Sequence, residues 1–136
     1  MRFDTKIAVV VRDDLASWQK LNVTAFLSSG IAHCADEIVG KPYADGSGND
    51  YLPMFREPVL VYAADAPALS RTRTRALTRG VATALYPMEL FATDNDDDNR
   101  AAVLAIRAED LDLAGIAVRG PRAAVDKVIR GLRLHG

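Results

Sequence analysis

Hydrophobic residues fall in two patterns along this chain, short unbroken runs and longer stretches at helical spacing, and the two alternate. Ile7 to Val11 is a continuous apolar, β-branched run, the pattern of a strand covered on both faces. From Asn22 to Ile38 the apolar positions Val23, Phe26, Leu27, Ile31, Ala35 and Ile38 recur one helical turn apart. That spacing predicts a helix capped by Asn22 and closed near Gly40. Gly30 inside it predicts close packing on the sheet, because glycine within a helix costs about 1 kcal/mol relative to alanine. Tyr43 to Tyr51 encloses Asp45-Gly-Ser-Gly-Asn-Asp50 and predicts a tight turn between two short extended segments. Pro53 and Pro58 bracket an irregular stretch.

Val59 to Tyr62 predicts a second strand. Asp65 then caps a helix that carries Pro67 in its first turn and ends at Gly80,. Val81 to Tyr86 predicts a third strand, stopped by Pro87, and Met88 to Phe91 one helical turn. The polar stretch Thr93 to Asn99 predicts a loop, with Asp98 or Asn99 capping a short helical segment from about Arg100 to Arg107,. Leu113 to Val118 predicts a fourth strand. Gly120-Pro121 opens a last helix with Val125, Val128, Ile129 and Leu132 on its inner face. This alternation predicts one α/β domain over residues 1–136, a three-layer α/β/α sandwich around a mainly parallel sheet.

Composition adds exclusions. The 136 residues are 49% hydrophobic and 26% charged, within the globular range, with a net charge of −1,. A chain devoted to nucleic acid usually carries a basic surplus, so such a role would need a local patch. Cys34 is the one cysteine, which excludes an intramolecular disulfide and a thiol-only zinc site. No apolar run approaches the roughly 20 residues that span a bilayer. Met1-Arg-Phe-Asp-Thr-Lys6 lacks the apolar core of a signal peptide, so a cytoplasmic location and no membrane partner are expected.

The candidate chemistry gathers where the first strand gives way to the first helix. Arg12, Asp13, Asp14, Lys20, Asn22 and Thr24 would place polar side chains and free helix N–H groups at a strand's C-terminal end, where open α/β sheets bind ligands. Lys20 would orient a carbonyl or phosphate, and a nearby carboxylate would position a water. Other constellations carry less. His33 and Cys34 are neighbours on a helix, about 100° apart, and do not face each other; Cys34 falls on the apolar stripe and reads as core. The Asp45–Asp50 loop lacks the glycine and glutamate spacing of a calcium loop. Asp94, Asp96, Asp97 and Asp98 read as an acidic helix start before a metal site. No metal and no cofactor are expected. Arg71, Arg75 and Arg79 form a basic ridge at i, i+4 and i+8, and Arg122, Lys127, Arg130 and Arg133 add to it near the C-terminus. Dinucleotide, P-loop, HExxH, CxxC and GxSxG motifs are absent from the sequence,.

Lys6-Ile-Ala-Val-Val-Val with Asp13-Asp-Leu15, Leu21-Asn-Val-Thr-Ala-Phe-Leu27, Gly40-Lys-Pro-Tyr43 and Leu52-Pro-Met54 resemble the bacterial domain-of-unknown-function 2000 family. So do Phe91-Ala-Thr93, Asp98-Asn-Arg100, Asp110-Leu-Asp-Leu113 and Gly120-Pro-Arg122. The resemblance implies a fold like that of type II peptidyl-tRNA hydrolases: a four-stranded mixed sheet between helices, in a homodimer. Those enzymes cleave the ester joining a peptide to tRNA. Of their D-L-x-M and G-K-x-A-A-Q motifs, Asp14-Leu15 matches the start and Lys20 falls one position short of the lysine. Gln19 replaces the glycine, and Thr24 is nearest the glutamine. Thr93-Asp-Asn-Asp-Asp-Asp98 stands where D-A-G-x-T is expected.

Two functions follow. The first is a small-ligand or partner-binding module using the crevice at the end of strand one, with Arg12, Asp13, Asp14, Asn22, Thr24 and Thr93 as binding residues. The alternative is a hydrolase of a peptidyl-tRNA-like ester, with tRNA as partner, in which Lys20 orients substrate and Asp94 activates water. The missing motifs favour the first, since a fold alone does not carry chemistry.

Overall fold

The structure, a computed structural model, describes residues 3–136; Met1 and Arg2 of the N-terminal stretch lie outside the described residues. In chain order it contains β1 (Thr5–Arg12), α1 (Ser17–His33), a hairpin of β2 (Tyr43–Ala44) and β3 (Asp50–Tyr51), β4 (Val59–Ala64) and α2 (Ala66–Arg79). Then come β5 (Ala82–Pro87), α3 (Asp96–Leu104), β6 (Leu113–Pro121), α4 (Arg122–Val128) and β7 (Arg133–Leu134). Short 3₁₀ turns lie at Asp36–Ile38, Met88–Ala92 and Ala108–Asp110.

The main sheet is mixed and has five strands in the order β5-β6-β1-β4-β7. β1 pairs parallel to β4 and antiparallel to β6. The run Ile7–Val11 is the centre of the molecule because both faces of β1 are covered. Ala8 and Val10 pack with Leu69 and Ala76 of α2 and with Val125 and Val128 of α4. Ile7, Val9 and Val11 pack with Val23, Leu27 and Ile31 of α1. Alternate residues of one strand therefore feed two cores, as the period of two requires.

The sheet differs from the four-stranded expectation by β7. Gly131, at φ 85°, turns the chain after α4, and Arg133 and Leu134 then pair with Ala63 and Tyr62 on the free edge of β4. The last helix accordingly ends at Val128, and Leu132 lies beyond it. The first helix also shifts. It starts at Ser17, five residues ahead of Asn22, with the Gln19 side chain accepting from the Ala16 N–H at 3.0 Å. It ends at His33, because Ala35 is extended at φ −162°. Cys34 is therefore exposed rather than in the core. Gly40 belongs to an extended segment, its N–H donating to Met54 O at 2.9 Å, and closes no helix.

Asp65 and Gly80 do cap α2: the Asp65 carboxylate accepts from Ala68 N–H at 2.9 Å, and Gly80 takes a left-handed φ of 66°,. A Cβ on Gly30 would stand 3.1 Å from that of Ala84, so its absence lets α1 lie close on β5. The third helical segment begins at Asp96, with Asn95 as its cap in place of Asp98 or Asn99.

The hairpin is ordered by one carboxylate. Asp45 accepts from Tyr51 O–H at 2.7 Å, Asn49 Nδ2 at 3.0 Å and the backbone N–H groups of Ser47 and Asn49 at 2.9 and 3.0 Å. These bonds, that from Tyr51 foremost, hold its carboxyl well below the ordinary aspartate range. A carboxyl whose pKa is lower in the folded state stabilises above its unfolded pKa, and the contribution goes as pH falls through the folded one. In an NMR titration the amide shifts of Ser47 and Asn49 are thus expected to hold through the usual aspartate range and move only in stronger acid. A midpoint at the ordinary aspartate value would contradict the arrangement.

Candidate functional site

Because α1 starts at Ser17, it presents two sets of side chains to two clefts. Trp18, Asn22, Phe26 and Ser29 follow one another at helical spacing along one side. With Tyr86 of β5, Leu90 and Phe91 of the turn after it, and Thr93 to Asp96 and Asn99 around the start of α3, they line a cleft of about 610 Å³. Its apolar wall is a chain of four rings. Trp18 meets Phe91 edge-on with centroids 6.0 Å apart, Phe91 meets Tyr86 at 5.1 Å, and Tyr86 meets Phe26 at 6.0 Å. Edge-to-face and tilted arrangements of this kind are the favoured geometries of aromatic pairs. Phe26 and Trp18 remain 53% and 63% exposed, so the wall is open to an incoming molecule.

Polar groups complete the lining. Tyr86 O–H reaches Asn22 Oδ1 over a long 3.5 Å, and burial pushes the phenol pKa up, so it stays neutral. The single O–H of Thr93 has two acceptors in reach, Leu90 O at 3.0 Å and Asn99 Oδ1. Asn95 caps α3 by accepting from Asp98 N–H at 2.8 Å, while its amide N–H groups hold the carboxylates of Asp94 and Asp98 at 2.9 and 2.8 Å. Asp96 and Asp97 turn to Arg100. Among the described residues no three of His, Cys, Asp and Glu are grouped to share a metal ion.

The other side of α1 forms a smaller cleft of about 340 Å³ with Val11 of β1, Val61 of β4 and His135. Ser17, Lys20, Leu21 and Thr24 line it from the helix. Lys20 Nζ lies 3.3 Å from His135 Nε2, and Thr24 Oγ1 is spent on Lys20 O at 2.8 Å. This cleft, not the aromatic one, is at the end of strand one. Arg12 lines neither: its Nε donates to Asp14 at 2.8 Å and its Nη1 to Asp112 at 2.6 Å, tying the end of β1 to the segment before β6. The hydrogen bond to Asp14 holds the guanidinium pKa above its ordinary value, with Asp112 adding to it against partial desolvation. Asp13 is exposed, and its backbone N–H donates to Ala64 O at 2.9 Å. The polar cluster expected at one crevice is thus dispersed. Asn22, Thr93 and Asp94 share the aromatic cleft, Lys20 and Thr24 share the other, and Asn22 is mid-helix rather than a cap.

The profile of a family described as "Protein of unknown function (DUF2000)" matches residues 5–136. The chain belongs to the DUF2000 family. A solved structure of a protein of unknown function from Agrobacterium tumefaciens is 48% identical to this DUF2000 chain and superposes with a TM-score of 0.96, covering 99% of this chain and 100% of that one. No curated protein matches the sequence.

For this DUF2000 chain the residues that sequence reasoning passed over are the four rings together with Asn95 and Asn99. The signal was present. Trp18, Asn22, Phe26 and Ser29 mark one helix side once the helix is begun at Ser17, whereas a helix begun at Asn22 leaves Trp18 outside.

Proposed function

We propose that this DUF2000 protein is a binding module for a small molecule with an apolar or planar body and a neutral or positively charged polar end, held in the aromatic cleft between α1, β5 and α3. One observation carries the reading: four aromatic rings share the cleft with Asn, Thr and Asp side chains, with no Lys, Arg or His among the lining residues. Aromatic faces and carboxylates both attract cations, and amides orient neutral polar groups. The volume of about 610 Å³ is that of an ordinary small-molecule site,.

The alternative is hydrolysis of a peptidyl-tRNA-like ester, suggested by the resemblance to type II peptidyl-tRNA hydrolases. It would need Lys20 and Asp94 at one reacting centre, since an orienting cation and a water-activating base must both lie within hydrogen-bond reach of the substrate. They line different clefts with no lining residue in common. This separation favours binding over that chemistry.

The test uses Trp18, the single tryptophan, as reporter in a fluorescence titration of a panel of small neutral, cationic and anionic aromatic compounds. Neutral or cationic members should bind, and Phe91→Ala or Asn22→Leu should weaken them about tenfold, or roughly 1.4 kcal/mol. Lys20→Ala should leave the titration unchanged. A panel in which only anions bind, or binding indifferent to Phe91 and Asn22, sinks the reading. Release of tRNA from peptidyl-tRNA by wild type but not by Lys20→Ala would put the hydrolase in its place.

A further inference from the structure

The charge of this protein is nearly balanced overall and sharply unbalanced in space. Residues 66–81 and 121–134, which hold α2, α4 and β7, contain eight of the 17 Lys and Arg and one of the 18 Asp and Glu, Asp126. With a net charge of −1 for the whole chain, the remainder is correspondingly acidic. Asp126 is itself engaged by Lys6 at 2.7 Å.

Pairing sharpens the contrast. Elsewhere Arg12, Arg100, Arg107 and Arg119 each hold a carboxylate. Among the described residues none of Arg71, Arg73, Arg75, Arg79, Arg130 and Arg133 does. Arg71, Arg75 and Arg79 stand at i, i+4 and i+8 on α2, where like charges destabilise a helix by about 0.2–0.5 kcal/mol per pair. Arg75 Nη1 donates to Arg130 O at 3.1 Å, which brings the ridge of α2 alongside the end of α4 in one surface.

We infer that the α2–α4 face binds the phosphate backbone of double-helical nucleic acid without reading its sequence. Seven of the eight cations in these segments are arginine, whose planar fork matches phosphate oxygens in pairs. The ridge arginines rise about 6 Å from one to the next along the helix, comparable to the step between successive phosphates on one strand. The exposed aromatics lie elsewhere, on α1 (Trp18, Phe26) and the hairpin (Tyr43, Tyr51). Base stacking on single strands needs such rings. Backbone contact to a duplex does not. This face packs on the side of the sheet opposite α1, so it is independent of the aromatic cleft and of what that cleft holds.

The experiment is fluorescence anisotropy of labelled RNA and DNA duplexes of arbitrary sequence, titrated with the full chain over a salt series. Wild type binds at low salt, equally for unrelated sequences, and log K falls linearly with log salt at about −0.9 per phosphate engaged. Arg71→Glu/Arg79→Glu binds at least about tenfold more weakly and flattens the slope by about 2. Lys41→Glu/Arg107→Glu, an equal change of net charge away from this face, binds like wild type. Absence of binding at low salt, equal loss in both double variants, or tighter binding to phosphatidylserine vesicles than to either duplex would overturn the inference. Circular dichroism of each variant establishes that it is folded when compared.

Discussion

Glu57→Ala is expected to lower unfolding stability by about 3 kcal/mol, read as a shift of the urea midpoint at unchanged slope. The Glu57 side chain is 4% exposed and that of Arg119 is 12% exposed. Arg119 Nε donates to Glu57 Oε1 at 3.3 Å, Thr5 O–H donates to Glu57 Oε2 at 2.6 Å, and Arg119 Nη2 closes the ring on Thr5 Oγ1 at 3.4 Å. The network fastens the start of β1 and the end of β6 to the chain entering β4. Removing the carboxylate leaves a guanidinium that water barely reaches, and breaking a buried pair costs about 3–5 kcal/mol for that reason. Glu37, 3.7 Å from Arg119 and mostly exposed, offers partial compensation, which places the loss at the lower end. Glu57→Leu combined with Arg119→Met should recover most of it, since neither charge is then stranded. A loss below about 1 kcal/mol for Glu57→Ala would mean that Glu37 takes over the pairing.

Glu57 also illustrates where sequence reasoning reaches its limit. Nothing local distinguishes it from any surface glutamate between two prolines, because its partners are 52 and 62 residues away. Features decided within a turn or two were legible: the double-faced run of β1, the Asp65 and Gly80 caps of α2, the hairpin around Asp45. Features decided by an edge or a competing cap were not. β7 is two residues long and exists because β4 offers free backbone groups to Leu134 and Arg133. Such a short pairing carries no periodicity of its own. The start of α1 was misplaced because Asn22 is a good cap by type, while the helix is closed instead by Gln19 reaching back to Ala16.

That one displacement explains what was and was not visible of the candidate site. Moving the helix start from Asn22 to Ser17 adds more than a turn, so Lys20 and Asn22 become helical residues on different sides and point into different clefts. Asp94 was visible as an acidic loop residue, but its neighbourhood with Phe91 and Trp18 depends on the 3₁₀ turn at Met88–Ala92 folding toward α1. Trp18, Phe26, Tyr86 and Phe91, spread over 74 positions, join into one row of rings only through the sheet. The sheet order was also ambiguous: alternation of strands and helices suggested parallel pairing, and the resemblance implied a mixed sheet, which is the arrangement observed.

Gly115→Ala is expected to destabilise by about 3 kcal/mol, the upper end of what overpacking a core costs. Gly115 lies in β6, beside Val11 of β1 and Tyr86 of β5. Ala114 is the extra residue that shifts the register, since Tyr86 pairs with Gly115 and Pro87 with Leu113. A Cβ at Gly115 would point at α1 and stand 2.6 Å from Val23 Cγ1, 3.1 Å from Leu27 Cδ1 and 3.0 Å from the backbone oxygen of Val10. Val23 and Leu27 are fully buried and have no room to retreat,, so the helix must lift from the sheet. Val23→Ala removes the worst contact, and the double variant should be less destabilised than the two single losses summed, an interaction that a thermodynamic cycle reads directly. The backbone oxygen of Val10 stays where it is, so relief is incomplete. Gly46→Ala is the internal control, because nothing lies within 4 Å of a Cβ there, and it should shift stability by less than about 0.5 kcal/mol. Because Trp18, Asn22 and Phe26 ride on the same helix, lifting α1 also spreads the aromatic cleft. On the proposed function, Gly115→Ala should therefore weaken the fluorescence titration with neutral or cationic aromatic compounds even under conditions where the protein stays folded. Unchanged stability together with unchanged binding would mean that α1 is not seated on β6 through Gly115.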